Sequence, residues 1–132
     1  VRDCWQLAFH PHLPQAARPA AELLLRTRPE DRPDGLLIGD DNLAEHVLAG
    51  LVAAGMRVGD DLDVVSHCNF PAIVPCVLPV RRIGFDARRI IEACLAVIDG
   101  LRQGRPAAEM TRIAATTEDE AEAAAPPAPQ ET

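Results

Sequence analysis

A short apolar run, Gly35-Leu36-Leu37-Ile38-Gly39, passes directly into Asp40-Asp41-Asn42, and that junction constrains the fold more than any other feature. So brief a run between glycines reads as a strand buried on both faces, as in a parallel sheet. Asp and Asn side chains satisfy the first unpaired N–H groups of a helix, so a helix should start there. Leu43, Val47, Leu48 and Leu51 then recur at i, i+4, i+5 and i+8, one stripe at helical period within a helix predicted over 43–54. Gly55 is placed as its stop. After the loop MRVGDD, the run LDVVS over 62–66 is a second buried strand. Strand, helix and strand occupy about 30 residues, the length of one βαβ unit. A right-handed crossover between parallel strands is the default.

The flanks extend this pattern. Residues 4–9 suit a short strand before a Pro-containing loop. A helix is expected from Ala16 to about Arg28, with Pro19 tolerated in its first turn, an apolar side at Leu23, Leu24 and Leu25, and Pro29 ending it. Three prolines over 67–79 exclude an interior strand throughout. A loop leading to an extended piece over 77–81 fits better. The longest helical pattern, 85–102, has Ala87, Ile90, Ile91, Cys94, Leu95, Ile98 and Leu101 on its apolar face. Residues 110–115 suit a last short strand. Residues 116–132 are acidic and Pro/Ala-rich and read as a disordered tail.

Composition narrows the function. The 132 residues carry a formal charge of −7, the wrong sign for a segment that grips a phosphate backbone by itself. All 13 basic residues are Arg, which excludes lysine Schiff-base and P-loop chemistry. Tyr is absent, and aromatic residues are too sparse for a base-stacking platform. The four Cys, at 4, 68, 76 and 94, lack the close spacing of a redox or zinc motif and read as thiols in a reducing compartment. No apolar run approaches the roughly 20 residues of a membrane helix, so no membrane partner is expected. The chain opens on Val without a charged lead into an apolar stretch, so it reads as a fragment rather than as a signal peptide or a native start.

The order of motifs resembles the C-terminal part of the effector-binding domain of LacI/GalR-type transcriptional regulators, in the periplasmic-binding-protein-like superfamily. Pro33-Asp34-Gly35 matches the family's lead-in, and Asp40-Asp41 stands where the family has Asn-Asp. Residues 55–61 (GMRVGDD) match its loop, and Val64-Val65-Ser66-His67-Cys68-Asn69 its second strand and exit. Val80-Arg81 and the helix that follows are similar to its last crossover and final long helix. The resemblance covers about residues 12–115 and implies an α/β fold: a three-layer parallel-sheet lobe, here an incomplete fragment. Residues 1–115 would be the C-terminal lobe and last crossover, followed by the tail 116–132. The implied protein is cytoplasmic and not an enzyme. It senses a sugar-like small-molecule effector, acts as a homodimer, and reads DNA only through a helix-turn-helix absent from this chain. Residues 71–79 and the exposed face of helix 43–54 would then lie near the dimer interface. The alternative is a solute-binding protein of a transport system with the same fold.

Ligands of open α/β sheets sit beyond the carboxyl ends of the strands. There the candidate strands end in Asp40-Asp41-Asn42 and His67-Cys68-Asn69. The resemblance puts Asp40 at an effector-contacting Asn, Cys68 at an effector-contacting Asp, and His12 near another contact. Asn69 and Phe70 complete the candidate effector-binding set, Phe70 as a ring to stack on a sugar face. Cys68 departs from the family, because a thiol cannot clamp two hydroxyls as a carboxylate does. Each residue also has a plainer role: helix capping for Asp40 and Asp41, a small buried hydrophobe for Cys68, a turn for Asn69. His10-Pro11-His12 could chelate a metal if Cys68 or Cys76 completed the site, but a loop His on the surface or facing the cleft is the commoner reading, so neither metal nor cofactor is expected. Ser66-His67 lacks the G-x-S-x-G elbow, and no group of residues assembles a nucleophile, base and oxyanion site. Arg81-Arg82 and Arg88-Arg89 read as a solvated face, with ion pairs to Asp86 and Glu92, rather than as an anion site.

Overall fold

The computed structural model describes residues 6–9, 13–76, 78–106 and 112–123. The described residues fall into two compact units, one within 1–67 and 74–82, the other within 68–73 and 83–132. The chain therefore passes between the units after residues 67, 73 and 82.

The first unit contains the βαβ element. β1 (Gly35–Ile38) pairs in parallel with the start of β2 (Asp63–Phe70), Leu36 opposite Val64 and Ile38 opposite Ser66. β1 is not buried on both faces as expected: Ile38 is buried, whereas Leu37 is 70% exposed. Among the described strands β1 is outermost and has one covered face, which gives alternation rather than a fully buried run. Between the two strands runs α2 (Ala44–Ala53), entered through a 3-10 turn, Asp41–Leu43. Its buried residues are Val47, Leu48, Gly50 and Leu51. Gly55 ends it at φ 74°, with the Met56 N–H returning to the Leu51 carbonyl at 3.0 Å and the Gly55 N–H to Val52 at 3.0 Å. That is the Schellman arrangement, which satisfies two otherwise orphaned carbonyls.

α1 (Ala17–Leu25) packs on α2. A 3-10 turn beginning at Pro14 leads into it. Its buried face is Ala17, Ala21 and Leu25, one residue per turn, while Leu23 is 68% exposed. Of the predicted Leu23–Leu25 side, Leu25 is buried and Leu23 is not, and the small Ala17 and Ala21 beside Leu25 let the helices approach closely. At Gly50 an added Cβ would stand 2.9 Å from that of Ala21. With Val58, Leu62, Val64 and Val80 these residues form one continuous core.

The second unit is built differently. β2 continues to Phe70, past the expected end at Ser66, and Val64, Ser66, Cys68 and Phe70 are buried in strict alternation. His67 to Phe70 therefore belong to a strand, not to the predicted loop, and the run of prolines takes effect only from Pro71. β3 (Arg81–Asp86) lies between β2 and β4 (Thr116–Thr117), and its pairing with β4 is antiparallel. The extended piece after the prolines is thus 81–86 rather than 77–81.

α3 (Ala87–Arg102) begins at Asp86, whose carboxylate accepts from the N–H groups of Arg88 at 2.9 Å and Arg89 at 3.4 Å. None of its residues is buried. α4 (Glu118–Ala123) follows β4, so residues 116–123 carry structure where the composition predicted a tail. Thr117 and Glu120 form a reciprocal capping box, the Thr117 N–H donating to Glu120 Oε2 at 2.9 Å and the Glu120 N–H to Thr117 Oγ1 at 3.5 Å. Residues 6–9 and 112–115 are irregular, not the strands expected there. Trp5, His10, His12, Val77 and residues 124–132 lie outside the described residues.

Candidate functional site

In the first unit, Asp40 stands two residues past the carboxyl end of β1, in extended backbone conformation. It caps the turn that leads into α2. Its Oδ1 accepts from the Asn42 backbone N–H at 3.0 Å and from Asn42 Nδ2 at 2.9 Å. Among the described residues Oδ2 has no such partner, so Asp40 caps its turn and still keeps an acceptor oxygen at the sheet edge where ligands gather. The cavity beneath this edge, about 100 Å³, is lined by Leu36, Ile38, Leu43, Val47 and other core side chains. Its lining side chains are all apolar.

The second unit separates the other candidates. Successive side chains of a strand face opposite ways. Cys68 and Phe70 are therefore buried on one face of β2, while Asn69 is exposed on the other. The Cys68 thiol lies 4.0 Å from the Ala72 carbonyl oxygen. Phe70 does line one, of about 440 Å³, together with Pro71, Asp86, Arg88, Arg89, Thr116 and Glu120. That volume is in the range of small-ligand pockets, which reach from about 300 to 1,000 Å³.

The polar groups of this cavity are held in place. Asp86 is fixed by capping α3, and its Oδ2 lies 3.9 Å from Arg89 Nε. Glu120 Oε2 also accepts from Thr116 Oγ1, at 3.3 Å. The Thr117 backbone N–H, then the Thr117 and Thr116 hydroxyls, hold the Glu120 carboxyl below the usual carboxylate range. Both acids are hydrogen-bond acceptors of fixed orientation. Among the described residues the Arg88 guanidinium has no carboxylate partner.

The sequence points to Phe70 but to neither Thr116 nor Glu120, because the acidic run reads as a tail. A signal was present: Thr117 and Glu120 have the T-x-x-E spacing of a helix start. Of the other candidates, Asp40 belongs to the first unit, Cys68 and Asn69 diverge, and His12 lies outside the described residues. Among the described residues no cluster of three His, Cys, Asp or Glu could hold a metal ion, and no helix is long and apolar enough to cross a membrane.

The family profile of the periplasmic binding protein-like domain matches residues 5–119. The chain belongs to that family. Its fold is also that of solved LacI-family proteins. A regulatory protein of the LacI family from Chloroflexus aggregans superposes with a TM-score of 0.76 at 17% identity, covering 89% of this chain and 42% of that one. A LacI family transcriptional regulator from Lactobacillus casei with bound glucose gives 0.59 at 22% identity, covering 80% of this chain and 37% of that one. The same regulator with bound sucrose gives 0.59 at 23% identity, over 86% and 44%. The chain therefore spans less than half the length of these relatives in the periplasmic-binding-protein-like family. No curated protein matches it.

Proposed function

We propose that this chain is part of the effector-binding domain of a LacI-type transcriptional regulator, and that it binds a small, sugar-like molecule without transforming it. The observation that carries the reading is the likeness to a LacI-family regulatory protein across 89% of the chain. The cavity at Phe70 supports it, with two fixed carboxylates and a hydroxyl beside an aromatic ring, groups suited to a polyol. Asp40, with its unspent oxygen, is a separate candidate contact carried by the first unit. Cys68, Asn69 and His12 are effector contacts by the family resemblance alone, and Cys68 and Asn69, on opposite faces of β2, do not serve one binding surface.

In this reading the effector binds one of two domain conformations more tightly and shifts the population toward it. A helix-turn-helix, separate from this segment, reads the shift on DNA. The regulator is a cytoplasmic homodimer, whose twofold symmetry matches a palindromic site. The exposed Val52 on α2 and Val74 supply apolar surface for that contact. Ile73→Asp should then yield monomers in sedimentation.

The deciding experiment pairs sugar binding with DNA selection. The full-length gene product is titrated with a panel of sugars and used to select from random duplex DNA. The expected result is retention of one palindromic sequence, altered by a bound sugar. Sugar binding without DNA retention would transfer the chain to the solute-binding proteins of transport.

A further inference from the structure

The cavity of the second unit holds more than hydroxyl-binding groups, and its charges are unevenly used. Asp86 spends Oδ1 on the first N–H groups of α3 and faces Arg89 Nε with Oδ2. Glu120 spends Oε2 on the Thr117 N–H and the Thr116 hydroxyl. Both acids, and one of the two arginines, thus have partners inside the protein. Arg88, in the first turn of α3, lines the same cavity with no carboxylate partner among the described residues. A guanidinium presents a rigid fork of donors whose geometry matches two oxygens of a carboxylate or phosphate, and such charge-assisted pairs are about twice as strong as neutral ones.

We infer that the molecule bound in this cavity carries an anionic group, and that Arg88 receives it while the carboxylates and Thr116 take its hydroxyls. The inference rests on the reading of the chain as a small-molecule sensor and names the chemical class of its ligand: a hydroxylated acid or a phosphorylated polyol, not a neutral sugar. The helix N-terminus is not the anion site, since the Asp86 carboxylate already occupies it. The two fixed acids also set the ligand's orientation, because an anionic group placed toward Asp86 or Glu120 meets like charge and one placed toward Arg88 does not.

The test titrates the full chain with a matched series, glucose, gluconate, glucuronate and glucose 6-phosphate, by calorimetry and thermal shift. At least one anionic member should bind about tenfold more tightly than glucose, as expected for one added charge-assisted pair. The preference should shrink as salt rises. Tighter binding of the sugar acids identifies a carboxylate ligand, and tighter binding of glucose 6-phosphate a phosphate. Arg88→Gln should abolish the preference, weakening the anionic members far more than glucose, and Arg88→Lys should restore part of it. Arg88 is exposed and its capping contact is through the backbone, so both variants should melt with the parent. Glucose binding as tight as that of every anion, or a preference that survives Arg88→Gln, overturns the inference and leaves the sensor reading standing. No binding by any member overturns both.

Discussion

Gly84 on β3 lies flat against the peptide backbone of Cys68 on β2, with no room between them for a single methyl carbon: a Cβ at position 84 would overlap the Cys68 carbonyl oxygen. Gly84 does not have a positive φ, so the demand is for space and not for an unusual backbone conformation. The obstructing atoms are main chain in a paired strand and cannot swing aside as a side chain does. Gly84→Ala should therefore destabilise the protein by roughly 2–3 kcal/mol, the upper part of the range for forcing an extra carbon into a packed site. In urea unfolding this appears as a lower midpoint at unchanged slope. A parental midpoint would mean that the two strands separate more readily than their packing indicates.

This contact also marks where the sequence stopped being legible. The βαβ element was readable because each local signal agrees with the packing it leads to. Asp40 caps, Val47, Leu48 and Leu51 share one buried face, and Gly55 turns the chain out of α2. β3 was not readable in that way. Arg81-Arg82-Ile83-Gly84-Phe85-Asp86 has no clean alternation, and its central glycine is set by a neighbouring backbone that the sequence does not reveal. The site divided similarly. Phe70 was recognisable as an aromatic candidate in the second unit, and Asp40 as a polar one in the first. Glu120 was hidden because a segment rich in Ala and Glu looks unstructured until its Thr117 cap is noticed. Cys68 and Asn69 looked like one site when read as a loop, but a strand sends them to opposite faces.

Arg57 and Asp61 close the loop between α2 and β2. Arg57 Nη2 donates to Asp61 Oδ1 at 2.7 Å, while Arg57 Nε and the Arg57 backbone N–H donate to Oδ2 at 3.1 and 3.0 Å. The side-chain hydrogen bonds from Arg57, followed by that from its backbone N–H, lower the Asp61 pKa from its ordinary 3.8. A carboxyl with a depressed folded-state pKa stabilises the fold fully above its unfolded value and loses that contribution as pH falls through the folded value. Stability measured from pH 6 downward should accordingly fall below about pH 4, set by the unfolded carboxyl. Asp61→Asn should remove part of that acid loss and be less stable than the parent near neutrality. Identical acid profiles for the two proteins would show that the loop does not depend on this pair. Both groups are solvent-exposed, so high salt should narrow the difference.

The capping box at Thr117 and Glu120 is expected to decide whether α4 persists. Six residues are too few for a helix to hold by propagation alone, so the two reciprocal hydrogen bonds matter more than they would in a longer helix. Thr117→Ala removes one of them and loosens Glu120, a wall of the cavity. Amide exchange over 118–123 should accelerate by about fivefold, the value of one lost cap. Exchange in α2 should stay at its parental rate. Equal acceleration in α2 would point to global destabilisation instead.

α3 makes the sharpest contrast between pattern and packing. Its apolar stripe is as regular as that of any core helix, yet Ile91, Leu95, Ile98 and Leu101 account for four of the eleven exposed large hydrophobic residues among those described. Ile91 and Leu95, one turn apart, are 59% and 55% exposed. The burial that normally rewards such a stripe is absent, so replacing it should cost little. The double variant Ile91→Gln with Leu95→Gln should shift unfolding stability by less than about 1 kcal/mol, as expected for surface substitutions. It should also reduce concentration-dependent light scattering, because a contiguous exposed apolar face drives association. A loss of several kcal/mol would reverse the conclusion: the face would then be covered in solution, against a second copy or another polypeptide surface. Comparing the midpoint at two protein concentrations separates those cases, since only self-association makes stability depend on concentration.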